Sequence, residues 1–378
     1  MKNVNIAFVY LAPAEITGGI QRIIHEVCKR HLQSGFKAIV ITSHDSELVN
    51  ERFFDFGGAK VYRLPIYKRI LGRNITKGFA HASCLFAVPT ILKKENIDIV
   101  FLMDVASSRN PYYKYVAKVS KLLKVKVISS IMSTPAEFST EKEKRVVVEY
   151  SDAIIAATEY NKLAFGKSPD KVHVIPLGCN REAQENRIDE KEDVVLSVGG
   201  IRRRKNYYTL VKAAKEVVNK KENVKFFIAG GIDDPNYLTK LKKFVNEYKL
   251  EKNVFFLGRV TDEELNELYR KSKLFYLPSE HEMFGIVFVE AMAHGLPIVA
   301  SNVTAIPEVV GDVGMLFNPK DYLSQANAII NLLEDEELYF ALNKKALERS
   351  KFYSWDKTYH HFIEICDQVL RSGCACKN

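Results

Sequence analysis

Residues 274–300 read LFYLPSEHEMFGIVFVEAMAHGLPIVA. The stretch opens with a run of four apolar residues that Pro278 ends, and a polar, acidic turn follows. A second apolar run leads through a break at Gly295 and Pro297 into a third. This order predicts a strand, a loop, a helix, a turn and a strand, which make up one unit of a doubly wound α/β sheet.

Two glutamates stand eight residues apart in this stretch. Glu282 lies in the predicted loop, and Glu290 lies about two turns further along the same face of the following helix. In open α/β sheets, ligands bind where such loops leave the carboxyl ends of the strands. We expect the amides of Met283, Phe284 and Gly285 to open the helix, where N–H groups and the helix dipole attract anions. These groups fit a polyhydroxylated, anionic ligand such as a sugar nucleotide; two solvated acids are the alternative.

The same alternation of strands and helices extends over most of the chain. The predicted strands are residues 4–11, 37–43, 59–64, 97–103, 126–132, 151–158, 172–178, 194–198, 224–229, 253–257, 274–277, 298–300 and 313–317. Residues 179–193 are charged and poor in apolar groups, which predicts a linker. With 378 residues, of which 47% are hydrophobic, the chain is long enough for two α/β domains.

Two strand-to-helix loops are candidate phosphate sites. The first carries Gly18 and Gly19, and a glycine pair lets the backbone approach a phosphate closely; a simple tight turn is the alternative. The second, residues 199–206, reads GGIRRRKN and places four consecutive cations between a strand and a helix. Such a cluster at the carboxyl edge of a sheet favours the neutralisation of a phosphate group.

The pattern around the two glutamates resembles the signature of the family-4 retaining glycosyltransferases of the GT-B fold. Phe284 and Gly285 follow the first glutamate, and EAMAHGLPIV begins at the second. The resemblance covers nearly the whole chain and is strongest from residue 194 onward. It implies two Rossmann-like domains facing across a cleft: an acceptor-binding domain of residues 1–180 and a donor-binding domain of residues 181–355. Residues 356–378 would form a C-terminal helix that crosses back to the N-terminal domain.

The resemblance also implies a reaction. A sugar would pass from a nucleoside-diphosphate sugar to an acceptor hydroxyl with retention of configuration, with no metal and no other cofactor. Glu282 would contact the donor sugar, Glu290 the nucleotide ribose, and Lys205 the charge of the leaving group, so that Glu282 and Lys205 are the predicted catalytic residues. The other residues implied in donor binding are Gly18, Gly19, Arg204, Arg259, Met283, Phe284 and Gly285.

Two positions depart from the family pattern. Met132 stands where the family usually has a histidine that helps to hold the donor sugar, and Gly200 stands where it usually has an arginine. A neighbouring hydroxyl and one of the arginines 202–204 are candidate substitutes. These departures keep open a catalytically silent sugar-nucleotide-binding protein. Because fold alone does not fix chemistry, a sugar-nucleotide epimerase or a phosphorylase on the same fold is a further alternative.

Charge is concentrated in the first half of the chain. Residues 1–180 hold 26 Lys+Arg against 16 Asp+Glu, a net +10, whereas the whole chain carries +9. Residues 56–94 and 105–136 lack acids and interleave basic residues with tyrosines and aliphatics. This pattern favours contact with an anionic membrane surface, or with a glycan or lipid-linked acceptor that carries phosphate; a solvated basic face is the alternative. Neither stretch carries a nucleic-acid-binding signature, so no nucleic acid partner is expected.

Three features predict a cytoplasmic protein, and the basic first half adds a peripheral position at the inner face of the cell membrane. The first 19 residues favour a strand over a signal peptide, because acid and glycine follow a short apolar run. The most apolar window, residues 79–92, is too short to span a bilayer. Six scattered cysteines without metal-ligand spacing favour reduced thiols.

Overall fold

The chain forms two compact units in its computed structural model. Met1–Leu177 and Trp355–Asn378 make up the first unit, and Gly178–Ser354 makes up the second. The structure describes residues 3–13, 19–45, 55–67, 69–70, 73–74, 83–103, 112–131, 141–163, 169–179 and 191–372.

The described strands divide between the two units, β1 to β9 in the first and β10 to β15 in the second. They are β1 (Ile6–Pro13), β2 (Ala38–Asp45), β3 (Lys60–Tyr67), β4 (Arg69–Ile70), β5 (Arg73–Asn74), β6 (Ile99–Leu102), β7 (Lys126–Ile131), β8 (Ala153–Ala156), β9 (Val172–Val174), β10 (Glu192–Val198), β11 (Lys225–Ala229), β12 (Val254–Gly258), β13 (Ser272–Leu277), β14 (Ile298–Ser301) and β15 (Gly314–Phe317). Strands such as β6, β8 and β14 are buried at every residue. Continuous apolar runs of this kind are typical of parallel strands that are covered on both faces.

Helices follow most of the strands, as the alternating pattern predicts. They are α1 (Gly19–Gln33), α2 (Val88–Lys94), α3 (Tyr113–Leu122), α4 (Glu141–Tyr150), α5 (Glu159–Lys162), α6 (Tyr207–Lys220), α7 (Pro235–Glu247), α8 (Asp262–Lys271), α9 (Ile286–Ala293), α10 (Ile306–Val310), α11 (Tyr322–Glu334), α12 (Glu336–Ser350) and α13 (Trp355–Ser372). Side-chain caps fix several helix starts. Thr261 and Glu264 form a capping box ahead of α8, and Asp234 caps α7.

The first unit is a doubly wound sheet with α13 packed against it. Its seven parallel strands lie in the order β3-β2-β1-β6-β7-β8-β9, and β4 and β5 form a separate antiparallel pair. The ring of Phe362 on α13 lies 6.1 Å from Phe8 and 5.0 Å from Phe101, measured between centroids. The hydroxyl of Tyr359 lies 3.1 Å from Nδ1 of the buried His31. The predicted return of the C-terminal helix to the first domain is confirmed.

The second unit has the strand order of a six-stranded Rossmann sheet. The order is β12-β11-β10-β13-β14-β15, and all the pairs are parallel. The chain reverses its direction of winding between β10 and β13. In such sheets, ligands bind outside the carboxyl ends of the two strands at this switch point. A ligand site is therefore expected at the loops after β10 and β13.

Among the helices that the structure describes, none combines the length and the apolar character that crossing a bilayer needs.

Candidate functional site

Three loops meet at the carboxyl edge of the second sheet. Residues 199–206 follow β10, residues 278–285 follow β13, and residues 302–305 follow β14. The Glu280 N–H donates to the Arg204 carbonyl at 2.9 Å, which joins the first loop to the second. The chain order of the strands thus brings together residues about 80 and 100 positions apart.

Lys205 and Glu282 form a buried ion pair between the first two loops. The Nζ of Lys205 lies 2.5 Å from Oε1 of Glu282, and the two side chains are 8% and 7% exposed. Ser279, which is fully buried, donates its hydroxyl to the same carboxylate oxygen at 2.9 Å. The two predicted catalytic residues are therefore in direct contact; their catalytic roles stay predictions.

The electrostatics of the pair follow from its burial and its neighbours. Burial alone would raise the pKa of the Glu282 carboxyl, but the charges of Lys205 and Arg204 lower it below its ordinary value. Burial lowers the pKa of the Lys205 ammonium, and the nearby guanidiniums of Arg204 and Arg202 act in the same direction, while Glu282 opposes them. The two cations thus favour the charged form of the carboxylate.

The structure distinguishes the three arginines of the cationic loop. Arg204 donates from Nη1 to the His281 carbonyl at 2.9 Å, and the same nitrogen lies 3.6 Å from Glu282. Arg202 pairs instead with Asp233, at 2.6 Å from Nη2. Arg203 is 76% exposed. Arg204 is therefore the arginine that shares the site with the ion pair.

Gly200 lies directly beside the Asp233 side chain. A Cβ at this position would collide with Oδ2 of Asp233, the carboxylate that binds Arg202. A side chain at position 200 would therefore require the Asp233 carboxylate, which is 40% exposed, to move away from Arg202.

The helix after Glu282 begins later than we expected. Helix α9 starts at Ile286, with Gly285 at the position before it at a φ of +80°. Met283, Phe284 and Gly285 consequently lie ahead of the helix and do not form its first turn. The Phe284 side chain is buried against Tyr353, with 5.6 Å between ring centroids. Phe284 can therefore contact a ligand only through its backbone.

Glu290 is buried on α9 and hydrogen-bonds to α8. Its side chain is 1% exposed, and Oε2 accepts a hydrogen bond from the Tyr269 hydroxyl of α8 at 3.0 Å. His294, stacked on Tyr269, has its Nδ1 2.9 Å from the Glu290 carbonyl. The alternative of an exposed helix acid is wrong for this residue, and its predicted ribose contact stays a prediction.

Arg259 and Gly19 lie outside these three loops. Arg259 is exposed just after β12, and its guanidinium lies beside Gly231. Gly19 is the exposed first residue of α1. Gly18 and Met132 lie outside the described residues.

Sequence reasoning missed three residues of the site. Ser279 and Thr304 hydrogen-bond to Glu282, and Asp233 holds Arg202. Ser279 lies three residues before Glu282 in the same loop, whereas Asp233 and Thr304 acquire their contacts through the order of the strands. Across the described part of the chain, no three His, Cys, Asp or Glu side chains lie together as metal ligands would. The expectation of a metal-independent reaction stays a prediction.

Two domain families match the chain. The family described as Glycosyltransferase Family 4 matches residues 17–183. The family described as Glycosyl transferases group 1 matches residues 180–349, which include the ion pair.

Curated relatives match parts of the chain. It is 30% identical over 229 residues to the serotype-specific mannosyltransferase WbdA of Escherichia coli. The aligned region covers 60% of this chain and 28% of that protein. The chain is 35% identical over 192 residues to the N-acetyl-alpha-D-glucosaminyl L-malate synthase of Bacillus anthracis, which takes in 50% of this chain and 49% of that protein. The matches thus span less than half of the length of these two relatives.

Solved structures match nearly the whole chain. Anabaena HepE, determined in complex with UDP and glucose, superposes with a TM-score of 0.77 over 96% of this chain and 99% of that chain, at 19% identity. At this identity the likeness shows the fold, and the predicted GT-B fold is confirmed.

Proposed function

Because the chain belongs to the family-4 glycosyltransferases of the GT-B fold, we propose that it moves a sugar from a nucleoside-diphosphate sugar to an acceptor hydroxyl with retention of configuration. The transfer of a glycosyl group follows from the family. The donor class, the stereochemistry and the acceptor are the parts that we propose.

The observation that carries the proposal is the buried contact of Lys205 with Glu282. A nucleoside-diphosphate sugar presents hydroxyls and a diphosphate next to each other, and these groups need a carboxylate and a cation side by side. The two groups are 2.5 Å apart and almost fully buried. In such a dry site, charged hydrogen bonds are stronger than in water.

The same groups suit the bond changes of a retaining transfer. The bond between the anomeric carbon and the diphosphate oxygen breaks, and the acceptor oxygen bonds to that carbon on the same face of the sugar. The acceptor hydroxyl gives its proton to the leaving diphosphate, on which negative charge grows. Lys205 and Arg204 would stabilise this charge, each charged hydrogen bond contributing about 1.5–3 kcal/mol. Two protein cations at this place support a reaction without a metal.

The donor class draws support from the compared proteins. One relative is named a mannosyltransferase and another an N-acetyl-alpha-D-glucosaminyl L-malate synthase, and HepE was determined with UDP and glucose. These names support a hexose or an N-acetylhexosamine on a nucleoside diphosphate as the donor of this chain.

The test is a panel of uridine and guanosine diphosphate sugars with glycan and lipid-linked acceptors, with and without a chelator. We expect product from one donor, unaffected by chelation, with the donor's anomeric configuration by NMR. Lys205→Met should reduce transfer by two or more orders of magnitude, since it removes stabilisation of about 3 kcal/mol or more. Arg203→Met is the matched control and should stay within about threefold, because Arg203 is largely solvated.

Three outcomes would contradict the proposal. Binding of a nucleotide sugar without product would favour the silent binding protein. Interconversion of sugars without an acceptor would favour the epimerase. An inverted product would show that the stereochemistry is wrong.

A basic helix face supports the proposed membrane contact. Lys114, Lys118 and Lys121 are exposed along α3, and the Nζ atoms of the latter two lie 5.6 and 5.7 Å from the centre of the Tyr150 ring. Leu122, at the end of the helix, is 83% exposed. Basic, aromatic and aliphatic groups together suit the head-group layer of an anionic membrane, where each lysine contributes about 1 kcal/mol. We propose that the protein meets a lipid-linked or glycan acceptor there, at the cytoplasmic face of the membrane.

Liposome sedimentation tests this part of the proposal. We expect binding to anionic but not to neutral vesicles, lost as salt rises. Changing the three lysines of α3 to alanine should weaken it by roughly two orders of magnitude, at about 1 kcal/mol each. The matched control is Lys240/Lys242/Lys243→Ala on α7 of the second unit, which should bind like the wild type. Absence of binding at low salt would leave a soluble acceptor.

A further inference from the structure

Glu282 depends on neighbouring residues for the position of its backbone. It lies in a loop without helix or strand, where Ser279 and Lys205 contact its carboxylate but helix and sheet hydrogen bonds do not hold its backbone. The loop after β14 holds it from two sides. The Glu282 N–H donates to Oγ1 of Thr304 at 3.1 Å, and the Ala305 N–H donates to the Glu282 carbonyl at 3.4 Å.

Thr304 has a backbone conformation that is rare for its residue type. Its φ is +53°, in the left-handed region, where a β-branched side chain is a genuine outlier. The Ile306 N–H donates to the Val303 carbonyl at 3.1 Å, so Thr304 is the second residue of a β-turn. Turns with positive φ at this position favour glycine. A threonine keeps this conformation where the surrounding structure holds it, and such residues cluster at functional sites.

The side-chain hydroxyl explains why a threonine, and not a glycine, stands at this position. Glycine would remove the strain, but it would also remove the acceptor for the Glu282 amide. We propose that Thr304 is a positioning residue, whose hydroxyl fixes the backbone of Glu282 and thereby aims its carboxylate at the donor sugar. This inference rests on the proposed function, in which Glu282 contacts that sugar. The inference adds the loop after β14 to a site whose charged residues come from the loops after β10 and β13.

Three substitutions separate positioning from a structural role. Thr304→Ser keeps the hydroxyl acceptor. Thr304→Val keeps the side-chain shape and the backbone strain but lacks the acceptor, and Thr304→Gly removes both the strain and the acceptor. We expect kcat to stay within about threefold of wild type for the serine variant. It should fall about tenfold or more for the valine and glycine variants, because a misplaced catalytic group loses rate steeply. The affinity of each variant for the nucleoside diphosphate without its sugar should stay within about twofold.

Thermal stability distinguishes positioning from strain. The glycine variant should unfold at a higher temperature than the valine variant, because its left-handed φ carries no strain. If the loss of rate merely followed stability, the glycine variant would be the faster of the two. Wild-type kcat in the glycine variant would overturn the proposal.

Hydrogen exchange gives a measurement that does not depend on activity. In a peptide spanning residues 280–285, the Glu282 amide should exchange about tenfold faster in the valine and glycine variants, and unchanged in the serine variant. Unchanged exchange in all three would overturn the proposed contact, even if the enzyme is active. Faster exchange in a protein that transfers no sugar would instead support the contact and count against the proposed function.

Discussion

Replacing Glu282 by glutamine is expected to destabilise the second unit more than replacing its partner, Lys205, by methionine. Removing one member of a buried ion pair costs about 3–5 kcal/mol, because an uncompensated charge stays in a dry site. Glutamine at position 282 leaves the Lys205 ammonium buried near the guanidiniums of Arg202 and Arg204, which disfavour its charge. We expect this variant to lose about 4 kcal/mol.

Replacing Lys205 by methionine leaves the Glu282 carboxylate with two other partners. Without Lys205, the Glu282 carboxylate still has Arg204 at 3.6 Å and the Ser279 hydroxyl at 2.9 Å. A hydrogen bond to a charged group contributes about 1.5–3 kcal/mol, so part of the loss is offset and about 2 kcal/mol remains. The double variant leaves no fully buried charge unpaired, since Arg204, which also loses Glu282, is 39% exposed. It should lose less than Glu282→Gln alone, although the two single losses add up to about 6 kcal/mol.

Urea denaturation measures these differences. Far-UV circular dichroism follows both units, whereas the fluorescence of Trp355, the single tryptophan, follows the first unit and serves as an internal control. The two signals must be fitted separately, because a chain of two units need not unfold in one step. Equal losses for the two single variants, or a double variant at the sum of their losses, would refute the assignment of Lys205 and Glu282 as one coupled pair.

Three further predictions follow from the packing and the charges. Gly285→Ala should cost about 2–3 kcal/mol in urea unfolding, because its φ is +80° and a Cβ would lie 2.6 Å from the Phe288 ring; Gly19→Ala, with nothing within 4 Å, should be near neutral. Hydrogen bonds from Lys37, Lys60 and Tyr62 lower the pKa of Glu95 from 4.5 to about 2, so its stabilisation is present above pH 4.5 and lost as pH falls toward 2. Glu95→Gln should remove that loss from the pH dependence of the unfolding free energy. Burial lowers the pKa of His31 below 6.5, so its stabilisation is lost as pH falls below 6.5, and His31→Gln should flatten the curve there.

The strands could be predicted because most of them are buried parallel runs. Each of the thirteen predicted strands overlaps a strand of the structure, from β1 to β15. The pair β4 and β5 was missed because two-residue strands that contain arginine carry no apolar run. The start of α9 was placed three residues too early. The left-handed φ of Gly285 ends the loop there, and a sequence does not reveal it.

The candidate site could be predicted in its residue types but not in its contacts. Lys205 and Glu282 belong to patterns that the sequence shows, yet their contact depends on β10 and β13 being neighbours in the sheet. Asp233 and Thr304 are ordinary loop residues in sequence. Their contacts arise from the folded positions of residues 31 and 22 places away in the chain.

The order in which the first unit is synthesised has a consequence for its folding in the cell. Phe8 and Phe101 emerge from the ribosome early, but Phe362, whose ring packs on both, follows about 260 residues after Phe101. At 5–20 residues per second, the Phe8 and Phe101 rings stay without the Phe362 ring that covers them for roughly 13–50 s. The second unit is made entirely within this interval. We expect nascent chains to expose this apolar surface to chaperones until α13 leaves the ribosome and completes the first unit.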